Sequence, residues 1–101
     1  LVLSSEMPAK AETVADFLKG FANPHRLLVL CCLIEGEKSV SELIDATGIP
    51  PASMSQHLSK LKDEGIITFR REHRTLFYTI DHPATRDLME LLYNRFCKDE
   101  T

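Results

Sequence analysis

No two of the three cysteines in this 101-residue sequence stand in a C-x-x-C spacing. That removes the usual signature of a structural zinc site, and an odd number of thiols is a poor basis for structural disulfides. No apolar run approaches the roughly 20 residues that span a bilayer. The opening LVLSSEMPAK lacks both the basic start and the long apolar stretch of a secretory signal. The expectation is a cytoplasmic protein with no membrane partner. Also missing are a carboxylate pair, a Ser-His-Asp set, a phosphate-binding glycine loop and a metal-ligand cluster, so neither an enzyme nor a bound cofactor or metal is expected.

What is present is ordinary in bulk: 44% apolar and 27% charged residues, the composition of a folded domain rather than a disordered one. The length suits one domain over residues 1–101, with residues 1–10 read as a disordered lead. The net charge is −3, but it is unevenly spread. Residues 56–74 carry five basic side chains (Lys60, Lys62, Arg70, Arg71, Arg74) against three acidic ones (Asp63, Glu64, Glu72). With screening over about 10 Å, this local excess counts for more toward a polyanion than the total does.

Along the chain, Val14, Phe17, Leu18 and Phe21 recur at helical spacing and predict an amphipathic helix over residues 11–21. Asn23 and Pro24 open a second helix, Gly36 closes it, and residues 27–34 between them are apolar on every side, as in a helix packed within others. Ser39 and Glu42 have capping-box spacing for a short third helix that Gly48 ends. A fourth starts at Pro51, puts Met54, Leu58 and Leu61 on one side, and stops at Gly65. The period then changes to two over residues 66–71 and 75–80, with Glu72, His73 and Arg74 at the bend. Lacking Gly or Asn, that bend is expected to be loose rather than a tight two-residue turn. Pro83 opens a last helix with Leu88, Leu91, Leu92 and Phe96 along one side. The fold expected is mostly α with a β-hairpin wing, in the order αααα-ββ-α. The unsatisfied stripes of the first and last helices predict a homodimer through them.

Helices three and four read as a helix-turn-helix, whose second helix would enter the major groove of double-stranded DNA. Gln56 is the base reader, since its amide pairs bidentately with adenine. Ser53 and Ser55 would reach phosphate or base and Lys60 a phosphate, while His57 lies at the border with the core. Arg70, Arg71, His73 and Arg74 cluster on the hairpin, where a wing lies over the minor groove or the backbone. A winged-helix module that docks on a protein is the alternative, and salt dependence separates the two.

These residues resemble a known family. NPHRLLVLCCL, SVSELIDATGI and the run MSQHLSKLKDEGIITFRREHRTLFYTI, followed by a last helix finishing LLYNRFC, are together similar to the ArsR/SmtB family of winged-helix repressors over nearly the whole chain. Ser55 to Gly65, with the basic wing and Tyr78, carries the most specific part. The resemblance implies a dimer on a palindromic operator, released when an effector binds. Family metal sensors place cysteines in the third helix, where this chain has Ser41 and Leu43, or paired Asp and His ligands along the last. The resemblance therefore implies no metal at those sites. Pro50 and Pro51 depart from the polar residues with which relatives often open the fourth helix, so their operator sequence does not carry over.

A cysteine inside an apolar helix is most often core filler, and that reading stays open for Cys31, Cys32 and Cys97 alike. The resemblance adds another. Cys31 in the second helix and Cys97 near the end of the last match the branch that senses persulfides or oxidants by bridging one thiol from each. Cys31 matches that position better than Cys32. The alternative keeps DNA binding, with inert cysteines and a metal or other effector elsewhere.

Overall fold

The computed structural model describes residues 5–97. Among them the elements run α1 (Met7–Lys19), α2 (Pro24–Ile34), β1 (Lys38–Ser39), α3 (Val40–Thr47), α4 (Pro51–Asp63), β2 (Ile67–Glu72), β3 (Thr75–Ile80) and α5 (Pro83–Phe96). The winged helix-turn-helix is as expected, with one strand added. Lys38 and Ser39 pair antiparallel with Tyr78 and Phe77 of β3, giving a three-stranded sheet in the order β1-β3-β2. Two residues are too short for an alternating pattern, so β1 exists only because β3 presents an edge to it.

α1 begins four residues before the expected start. Proline fits the first turn of a helix, where its missing N–H costs nothing, and Pro8 sits there. The reading of residues 1–10 as disordered is therefore corrected for Met7 to Lys10, which are helical; residues 1–4 lie outside the described part. Asn23 caps α2 as expected: its Oδ1 accepts from the backbone N–H of His25 at 2.9 Å and of Arg26 at 3.2 Å. Arg26 in turn closes α1, donating from Nε to the Gly20 carbonyl at 2.8 Å and from Nη2 to that of Lys19 at 3.0 Å. Val29, Leu30 and Leu33 of α2 are fully buried. The helix is not enclosed on every side, however. Leu28 is 47% exposed and Cys31 is exposed, because α2 leaves one flank uncovered within the monomer.

The capping box of α3 is complete, with Glu42 N–H donating to Ser39 Oγ at 3.2 Å and Ser39 N–H to Glu42 Oε1 at 2.9 Å; Gly48 takes the left-handed exit at φ 74°. Met54, Leu58 and Leu61 of α4 join Leu30, Leu33, Leu43 and Ile66 in the core, so the opposite face of α4 is outward. The hairpin differs from expectation at its tip. Glu72 pairs with Thr75, leaving only His73 and Arg74 as the loop. His73 supplies the positive φ, 57°, that a two-residue turn needs, so the bend is tight despite having no glycine or asparagine. Histidine is among the residues that tolerate this region, which composition alone did not signal.

α5 buries Thr85 and Met89 and leaves Leu91, Tyr93 and Phe96 exposed. α1 has no buried residue at all, and Val14 and Leu18 are about half exposed. Among the described residues no single helix is long and apolar enough to cross a membrane.

Candidate nucleic-acid interface and thiol site

The outward face of α4 carries Ser55 and Gln56 exposed and Ser53, His57 and Lys60 half-buried. Among the described residues the side chains of Ser55 and Gln56 have no hydrogen-bond partner, which leaves both the carbonyl oxygen and the NH2 of the Gln56 amide available to a base edge. The half-buried His57 ring meets that of the exposed His25 edge-on at 5.3 Å. Desolvation, then the Arg26 charge and His25, hold the His57 imidazole below its usual range. Lys60 Nζ lies 3.3 Å from Glu64 Oε1, one turn on, in a half-buried pair.

The wing is fixed to this helix. Lys62 Nζ of α4 stands over the Phe69 ring of β2 at 5.3 Å, and Phe69 packs on Tyr78 of β3 at 5.5 Å. At the tip, Arg71, His73 and Arg74 are exposed, and among the described residues neither arginine has an ion-pair partner. Arg70 is different: it is held in a bidentate pair by Glu37 and touches Glu72 as well.

The thiols fall in a second place, on the far side of α2. Cys31 and Cys97 both line a cavity of about 570 Å³ between α2 and α5, with Ile34, Met89 and Tyr93 as apolar wall and Glu35, Arg86 and Glu90 also lining it. All three cysteines are free thiols. Cys32 is half-buried against the core and does not line the cavity. Burial pushes the Cys31 thiol up, and its neighbours Cys32, Cys97 and Glu35 push in the same direction. By surface area Cys31 is exposed. Its thiol is thus partly desolvated by the apolar wall of an open pocket while remaining reachable from solvent. Cys32 is raised too, by burial and then Glu35, with Lys38 opposing. Cys97 caps α5, its N–H donating to the Tyr93 carbonyl at 2.9 Å. Among the described residues no group of three His, Cys, Asp or Glu side chains is arranged to hold a metal.

Two residues that sequence reasoning passed over tie these regions together. Glu37 binds the wing, and Arg86 of α5 donates from Nη1 to the Ile34 carbonyl at the end of α2, at 3.2 Å. Their partners lie 33 and 52 residues away, and no local pattern signals such contacts.

Residues 23–68 match the model of the bacterial regulatory protein, arsR family. The biofilm growth-associated repressor of Xylella fastidiosa is 38% identical over 95 residues, covering 94% of this chain and 83% of the relative. The solved structure of reduced HlyU from Vibrio cholerae superposes with a TM-score of 0.87 at 34% identity, over 94% of this chain and all of that one. The homodimeric winged helix-turn-helix DNA-binding domain Mb0332 from Mycobacterium bovis gives 0.81 at 31% identity, over 92% of this chain and 86% of that one. A buried α3–α4 core with an outward polar face, a tight basic wing and these likenesses over nearly its whole length place the chain in the ArsR family, as a winged helix-turn-helix, DNA-binding transcriptional regulator.

Proposed function

We propose that the protein is a homodimeric repressor that holds a palindromic operator through α4 and the wing and lets go when Cys31 and Cys97 become bridged by reactive sulfur species or oxidants. The observation that carries this reading is that two cysteines 66 residues apart in the chain line the same cavity. Gln56 reads a base edge, with Ser53 and Ser55 beside it; His57 sets the helix, and Lys60, Arg71, His73 and Arg74 meet the backbone. Most of the affinity then comes from phosphates and falls with salt. Support for the dimer comes from the large apolar side chains left exposed on α1 and α5, Val14, Leu18, Leu91 and Phe96, and from the homodimeric relative.

The chemistry balances with a persulfide, R–S–SH. The exposed Cys97 thiolate attacks the outer sulfur, the S–S bond breaks, and RSH leaves with Cys97 carrying –S–SH. Cys31, having lost its proton, then attacks Cys97 Sγ and expels hydrogen sulfide. Two thiols are oxidised to a disulfide while the sulfane sulfur is reduced to sulfide. Attack further out on a longer chain on Cys97 leaves sulfur atoms inside the bridge. A peroxide reaches the same disulfide through a sulfenic acid on Cys97, with water as the product.

Bridging α2 to α5 acts on the dimer because α5 is also a dimer helix. Displacing it alters the roughly 34 Å spacing that two recognition helices need on successive turns of the duplex. Intact mass measured after exposure to an organic tetrasulfide or to peroxide, alongside operator affinity, tests the reading. Loss of two hydrogen atoms or gain of sulfur, with loss of affinity, is expected. A full response in Cys31→Ser, or unchanged affinity in the bridged protein, would reject it.

A further inference from the structure

Among the described residues Arg70 is the one wing arginine whose guanidinium is already occupied. Its Nε and Nη2 donate to Glu37 Oε2 and Oε1 at 2.7 and 2.8 Å, and its Nη1 is 3.4 Å from Glu72 Oε2. A two-pronged arginine–carboxylate pair of this kind is the directional form of ion pair. The guanidinium also lies over the Phe77 ring at 4.7 Å. Register explains the geometry. Arg70 sits opposite Phe77 from one side and Ser39 sits opposite it from the other. The side chain therefore crosses the width of β3 to reach the residue before β1. Successive strand residues point to opposite faces. Phe69 takes the face that meets Lys62 of α4 and the buried Tyr78, so Arg70 takes the other, away from α4. Two carboxylates around one guanidinium leave that spot with no cationic surplus for a phosphate.

We propose that Arg70 is a positioning residue rather than a phosphate contact: with Glu37 it clasps the wing to the turn that follows α2, and through that turn the thiol cavity governs the wing. The turn is held from both sides. Arg86 of α5 grips its start at the Ile34 carbonyl, Glu37 grips β2 three residues on, and Ile34, Glu35 and Arg86 line the cavity with Cys31 and Cys97. A shift of α5 against α2 therefore moves the anchor of the wing as well as the dimer seam. The pair stays ionised over a wide pH range, since the Arg70 hydrogen bonds hold the Glu37 carboxyl below its usual value.

The inference rests on the reading that the wing meets DNA and the cavity takes the effector, and the test separates the two. The full-length dimer selects a duplex from a randomised pool, and affinity for that duplex is measured across salt in the reduced and bridged forms. Wild type that selects no duplex, or whose affinity is unchanged by bridging, overturns the underlying reading itself and the proposal with it. Given both responses, Glu37→Gln and Arg70→Gln should leave the salt slope unchanged while cutting the ratio of reduced to bridged affinity at least about threefold. Arg71→Gln or Arg74→Gln should instead flatten the slope by about 1.8, the value of two phosphates, one for each protomer, and keep the ratio. The exchanged pair, Glu37→Arg with Arg70→Glu, should recover the affinity that Arg70→Glu alone loses. Flattening by Arg70→Gln, tighter binding by Glu37→Gln, an exchanged pair no better than Arg70→Glu, or an undiminished ratio would each overturn the proposal.

Discussion

Bridging Cys31 to Cys97 should raise the melting temperature, but by less than chain entropy alone dictates. The bond closes a loop of about 66 residues, for which the loop-entropy relation gives about 4 kcal/mol of stabilisation. For a chain of about 100 residues each kcal/mol moves the midpoint by about 4–8 °C, so an unstrained bridge would add roughly 15–30 °C. Both thiols line an open pocket of about 570 Å³ between helices that already meet at Arg86 and Ile34, and closing the bridge is expected to shift α5 against α2. If the reduced geometry is the one that fits the operator, pulling those helices together stores the energy that weakens DNA binding. Coupling of about 1–3 kcal/mol is ordinary for such switches, and it comes out of the same 4 kcal/mol. The expected rise is therefore about half the unstrained figure. Calorimetry on Cys32→Ser dimer, reduced and bridged at one protein concentration, reads it directly. A bridged protein that gains the full amount and still holds its operator at undiminished affinity would rule out a strain-driven switch, because a bond that fits without strain has nothing with which to change the spacing.

Three further outcomes follow from the same geometry. Gln56→Ala should lose about 1–3 kcal/mol of discrimination at one base position, while Lys60→Ala weakens all duplexes alike; competition between the selected and single-base-changed duplexes checks both. Because burial raises the Cys31 thiol, the fraction present as thiolate at neutral pH is small and grows as pH rises, so closure of the bridge on a Cys97 persulfide should accelerate steadily above pH 8. Stopped-flow release of sulfide measures it, and a rate flat with pH would show that Cys31 is not the attacking group. Leu18→Asp places a charge on a half-exposed apolar site of α1 and should shift the dimer to monomer in sedimentation with little change in monomer helicity.

Much of this architecture was legible in the chain because its signals are local. Asn23 before Pro24, the Ser39 and Glu42 capping box, Gly48, and the Met54–Leu58–Leu61 spacing each act within one or two helical turns, and each element formed where its signals stood. The misreadings also have local causes. Pro8 is a good helix opener and starts α1 ahead of its apolar stripe, and the tight turn rests on a left-handed φ at His73, a conformation histidine tolerates but does not signal as glycine or asparagine would. β1 had no pattern of its own to read.

The helices, the hairpin, the polar face of α4 around Gln56 and the cationic cluster near Arg74 follow from order along the chain, since caps, periodicity and charge are properties of neighbouring residues. What those groups do to one another follows from packing. It brought Cys31 and Cys97 to one cavity while turning Cys32 to the core, and it spent Arg70 on Glu37 while leaving Arg71 and Arg74 free of ion pairs among the described residues. Each of those outcomes depends on contacts between residues tens of positions apart, and such contacts exist only once the sheet and the helices have packed.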